Sequence, residues 1–149
     1  MSTPAPAHVP PATPTTTASG GFTFENWEEH PVGPAEAPFP RLARATVTNA
    51  FTGVVTARDT ACSYAIAYTA ESTGSFAGME LVTGSVGGRK GSFVLEERGT
   101  FDATGTTRCA FEVVPGSGTV ELAGLTGSGS FVYRHGDTSV DYTFVYDLP

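Results

Sequence analysis

From Arg41 to Val114 the chain contains no proline, although it holds eleven in all. A central strand needs every backbone N–H for its ladder, so so long a proline-free run suits a sheet with few open edges. Glycine supplies the punctuation instead. Between the glycines, apolar residues recur with a period of two, the spacing of a strand with one buried face.

Phe22 and Phe24 share one face of the first predicted strand, and Val47, Asn49 and Phe51 share a face of the second. Tyr64, Ile66 and Tyr68 alternate in the third; Phe76, Gly78, Glu80 and Val82 share a face of the fourth. Phe93, Leu95 and Glu97 follow, then Cys109, Phe111 and Val113. Phe131, Tyr133 and His135 share a face of the seventh, and Tyr142, Phe144 and Tyr146 of the eighth. Eight short strands joined by glycine turns, with no long helix, predict an all-β antiparallel sandwich or barrel. Eight strands close into a barrel able to hold one small ligand, and closure removes the edges that would aggregate.

The N-terminal part reads differently. Residues 1–20 hold five prolines, five threonines and four alanines, the composition of a disordered tail ahead of a barrel domain at 21–149. This tail lacks the basic and apolar regions of a secretory signal, and no stretch approaches the 18 apolar residues of a membrane span. Between Trp27 and Arg41, the run HPVGPAEAPFPR predicts an irregular connection across one barrel end. Phe39 is there either a lid or the anchor of a surface loop.

The five-glycine stretch FEVVPGSGTVELAGLTGSGSF, 111–131, raises the question of a phosphate cradle. A P-loop requires Lys and Ser or Thr after its second glycine, whereas here Gly118 is followed by Thr119, Val120 and Glu121. The helix that would have to follow is too short for a dinucleotide fold. Thr119 is placed to cap one helical turn, with Leu122 and Leu125 on the same side at i and i+3. The stretch reads as a corner with a short helical plug.

Eight basic residues stand against fifteen acidic ones, a net charge of −7, and the basic ones do not cluster. Nucleic acid and anionic membrane are therefore excluded as partners. Cys62 and Cys109 have no Cys or His at zinc-site spacing, and His8, His30 and His135 are scattered, so no metal is expected. Two reduced thiols suit a cytoplasmic protein. No serine sits in a nucleophile elbow.

The runs GFTFENWEE, RLARATVTNAF, GSVGGRKGSFVLEERGTF, VVPGSGTVELAGLTGSG and YRHG together resemble a bacterial family of domains of unknown function, in unbroken order over residues 20–149. That family in turn looks similar to the allene oxide cyclase barrel superfamily, which includes the dirigent proteins. The resemblance implies an eight-stranded antiparallel barrel with an apolar pocket and chemistry without a cofactor. It also implies a possible homo-oligomer, with no interface that can be named. It carries over no catalytic residue.

If the aromatic faces point inward, Glu80, Glu97 and His135 are carried in with them. A buried carboxyl has its pKa raised and suits general acid–base work near neutral pH, as an imidazole does untuned. Trp27, Tyr64, Tyr68, Phe76, Phe93, Phe131, Tyr133, Tyr142 and Phe144 are the candidate ligand-binding walls. Each has a plainer alternative. Glu80 is one register slip from the outer face. Glu97, in Glu96-Glu97-Arg98, is a solvated acid if that face is outside. His135 precedes Gly136-Asp137, a hairpin turn. The tyrosines are ordinary core residues, and Trp27 a plug of the barrel end.

The expected function is a cofactor-free isomerase or cyclase acting on a small apolar or polyunsaturated molecule, with Glu80, His135 and Glu97 as acid–base candidates. Two alternatives stand beside it: a lipocalin-like carrier, and a filled barrel without a ligand.

Overall fold

The structure, a computed structural model, describes residues 15–149. Nine strands run in chain order: β1 (Thr16–Val32), β2 (Arg41–Gly53), β3 (Val55–Ala57), β4 (Ala61–Ala70), β5 (Thr73–Val86), β6 (Arg89–Phe101), β7 (Thr106–Val113), β8 (Thr126–Arg134) and β9 (Val140–Asp147). Eight of them form a closed antiparallel barrel in the circular order β1-β2-β4-β5-β6-β7-β8-β9, with β9 pairing back to β1. The ninth, β3, is a three-residue strand that bridges β2 and β5. Among the described residues no helix is long and apolar enough to cross a membrane.

The first strand departs from expectation at both ends. It starts at Thr16, inside the segment expected to be a tail, where residues 16–22 pair with β9. The rest of that segment, 1–14, lies outside the described residues. It also runs on through His30 to Val32, paired with β2, where a loop was expected. Pro31 sits opposite Ala43 near the end of the pairing, where its missing N–H costs least. Phe39 remains in the shorter connection that follows, with the Arg41 guanidinium 4.2 Å from its ring.

The inward faces agree with the period-two reading. Val82, Phe93, Leu95, Phe111, Val113, Val140, Tyr142 and Phe144 form one buried cluster with Leu122 and Leu125. These last two come from the corner after β7, where η1 (Val120–Leu122) is a single 3₁₀ turn. Thr119 makes no side-chain cap. Its hydroxyl instead accepts from the Ser92 N–H at 3.0 Å, while Ser117 Oγ accepts from Val94 N–H at 3.0 Å. The Val114 and Thr119 N–H groups bond to Val94 and Ser92 carbonyls of β6. The corner spends its backbone donors on the barrel wall, so it holds a plug in place and offers no anion cradle.

Candidate functional site

The plug and its cluster fill one half of the lumen, leaving a void of about 10 Å³ among Phe51, Phe93 and Phe144. The other half is a cavity of about 670 Å³, open at one end. Its walls are mostly aromatic: Phe22 and Phe24 from β1, Tyr64 and Tyr68 from β4, Phe76 and Phe101 around β5 and β6, and Phe131 and Tyr133 from β8.

Two backbone devices shape those walls. In β1 the register slips between Glu25 and Glu28, with Asn26 at φ 59°. Asparagine tolerates that left-handed conformation better than most residues. The extra residue reverses the strand's parity, which turns Trp27 to the cavity mouth, 50% exposed. It also places Glu29 opposite Ala45, near enough to accept a hydrogen bond from the Tyr68 hydroxyl at 2.5 Å. The second device is glycine opposite aromatic. A Cβ on Gly78 would lie 2.6 Å from the Tyr64 ring, and one on Gly99 would lie 2.6 Å from the Phe76 ring. Bare backbone lets each ring lie flat on the neighbouring strand.

Beneath the closed end of the cavity lies a fully buried polar cluster. Glu80 and Glu97, 1% and 2% exposed, project inward from β5 and β6. Glu80 Oε2 accepts from Asn49 Nδ2 at 2.8 Å and from Thr60 Oγ1 at 2.5 Å. Glu97 Oε1 accepts from the Tyr64 hydroxyl at 2.9 Å, and the Cys62 and Cys109 thiols approach the same carboxyl at 4.0 and 3.9 Å. Burial raises the Glu97 pKa to about 9, reinforced by a hydrogen bond to Glu80 and by its charge. Burial likewise pushes up both thiols and the Tyr64 phenol, with the two glutamates adding to the effect on Cys62. The cysteines are free and buried.

One donor atom each from Cys62, Glu80 and Glu97 lies within 4.8 Å of the others. The spacing along the chain hid this gathering, because the three residues come from three different strands. Its chemistry is that of a shared proton: Tyr64 and both thiols donate into Glu97, and burial favours the protonated forms.

The sequence candidates separate in three dimensions. Trp27, Tyr64, Tyr68, Phe76, Phe131 and Tyr133 line the cavity. Phe93, Tyr142 and Phe144 do not; they pack in the filled half. The Tyr142 hydroxyl accepts from Val55 N–H and donates to the Thr52 carbonyl, both at 3.0 Å, pinning the connection between β2 and β3. Glu80 and Glu97 are inward but lie behind the wall, reaching the cavity through Asn49 and Tyr64. His135 is exposed on the rim, one residue past β8, and is not joined to either glutamate. The sequence marks Asn49 only as a residue of an inward face. Its apolar neighbours Val47 and Phe51 mark it as buried, but its partners come from β5 and from Thr60, beyond the reach of spacing along one strand.

No curated protein matches the chain. Among solved structures it is similar to a protein of unknown function from Shewanella oneidensis MR-1, a DUF3224 family member, with TM-score 0.70 and 27% identity. The match covers 91% of this chain and 99% of that one. Residues 18–146 match the family model described as "Protein of unknown function (DUF3224)", nearly the whole barrel from β1 to β9, and the chain belongs to that family.

Proposed function

We propose that the barrel binds a small, largely apolar molecule in its open half. The observation that carries this is the cavity itself. Its 670 Å³ lies within the range of ligand pockets, and aromatic rings dominate its walls. A barrel built only for stability would be expected to fill that space, since empty apolar volume is destabilising.

A second reading, cofactor-free isomerisation or cyclisation, draws support from the Tyr64–Glu97 contact and fits the allene oxide cyclase-like character that the sequence resemblance implies for the family. In it Tyr64, not His135 or Glu80, is the group that meets the substrate, with Glu97 and Glu80 behind it as the proton store. The free cysteines are consistent with a cytoplasmic setting, which we include in the proposal.

Fluorescence titration with the uncharged dye N-phenyl-1-naphthylamine tests the binding reading. Saturable one-to-one binding is expected, abolished by Thr107→Trp, which places bulk at the cavity mouth. A folded protein with no saturable binding would falsify it. Native mass spectrometry of protein from its own cells separates the two readings: a retained molecule that changes chemically on incubation favours turnover, and one that survives unchanged favours carriage.

A further inference from the structure

We propose that the cavity selects a cation on an apolar body, an amine or quaternary ammonium, and turns away carboxylates and sulfonates of the same size. This rests on the reading that the cavity binds small molecules and narrows it to a ligand class.

The charge around the cavity is mostly negative. None of the eight lysines and arginines lines it, whereas Glu71 and Asp102 stand on its rim, where His135 is the one basic side chain beside them. The Asp102 carboxylate is partly committed, accepting from Thr104 N–H at 2.9 Å and drawn on by Arg108. Glu71 is the freer of the two. Behind the wall, Glu80 accepts two hydrogen bonds on one oxygen, from Asn49 and Thr60, the environment of a carboxylate. Asn49 itself lines the cavity, so this negative charge lies one side chain away from any occupant. Among the described residues the only ion pair is Arg98–Glu96 on the outer surface, so no cation neutralises Glu80. In poorly polarisable surroundings such a charge is felt over several ångströms.

The walls favour the same sign. Trp27, Tyr64 and Phe76 form a continuous run, with ring centroids 6.3 and 5.2 Å apart. Aromatic faces attract cations, most of all when water is excluded. The Tyr64 hydroxyl commits its hydrogen to a bond with Glu97, which leaves an oxygen lone pair for an N–H donor of the ligand and no donor for an anion.

Calorimetric titration at pH 7 with three probes on one naphthalene body tests the proposal: 1-naphthylmethylamine, present as the ammonium; 1-naphthylmethanol, neutral; and 1-naphthylacetate, anionic. The ammonium is expected to bind at least about tenfold more tightly than the alcohol, and the acetate more weakly than either. Glu80→Gln should shrink the ammonium preference. Glu71→Gln, on the exposed rim, should shrink it too and keeps the test open if the buried substitution fails to fold. Acetate binding as tightly as the ammonium overturns the proposal, as does a preference untouched in the folded variants. If the alcohol binds and the ammonium gains nothing over it, the cavity reading stands and the charge preference falls. If none of the three binds, both fall.

Discussion

Glu97 is the residue on which the chemistry of the buried cluster turns. Its folded-state pKa is raised to about 9 from an ordinary value of 4.5, so the fold holds its proton more tightly than the unfolded chain does. Stability from this group is therefore fully present below about pH 4.5 and is lost as pH rises through 9. Urea unfolding at successive pH values should show the wild type losing on the order of 1 kcal/mol per pH unit between pH 6 and 8, relative to Glu97→Gln. Glutamine keeps an acceptor for Tyr64 and a donor for Glu80 but cannot titrate. Equal pH slopes in the two proteins would show that Glu97 is ionised in the fold. The inward placement of Glu97 was legible in its alternation with Phe93 and Leu95. Its partners were not, because Tyr64, Cys62 and Cys109 arrive from β4 and β7, and spacing along one strand says nothing about register with another.

At the scale of the element, the corner after β7 shows how much turn chemistry can be read and where it misleads. A short plug ending in Leu122 and Leu125 was legible from their spacing and from the flanking glycines. The cap was not: Thr119 is drawn off to Ser92 by the close approach of β6. Val120, which follows it, is 79% exposed and sits at φ 55°. A β-branched residue there is strained and contributes no burial in return. Val120→Asn should raise stability by about 1 kcal/mol, measured as a shift in the denaturation midpoint at constant m. An unchanged or lowered midpoint would show that Val120 makes a contact worth the strain. In β1 the bulge at Asn26 was illegible for a related reason. The sequence offers only an asparagine in a polar run, and it is pairing with β2 that forces the extra residue out and turns Trp27 inward.

At the scale of the whole molecule, the barrel divides into a packed half and an open one, and the two should respond differently to the same chemical change. Phe144 is buried against Phe111 and Tyr146, so Phe144→Ala should cost about 3–5 kcal/mol. Phe76 faces the cavity and is only partly buried, so Phe76→Ala should cost roughly half as much while enlarging the cavity. Comparable losses by chemical denaturation would mean that the open half collapses around its walls in solution. The sequence by itself determined eight of the nine strands, most of their inward faces and the closed barrel. These follow from a period of two, from the absence of proline and from glycine turns, all of them local to one stretch of chain. Only the tertiary structure decided which inward residues meet a ligand and which meet one another. It assigned Phe93, Tyr142 and Phe144 to the core and Tyr64 and Phe76 to the cavity, it gathered Glu80 and Glu97 behind Asn49 and Tyr64, and it left His135 on the rim. The physical reason is that alternation fixes the side of a strand but not its height in the barrel. Height depends on strand stagger and on where the plug of Leu122 and Leu125 stops, and both are set by contacts between residues far apart in the chain.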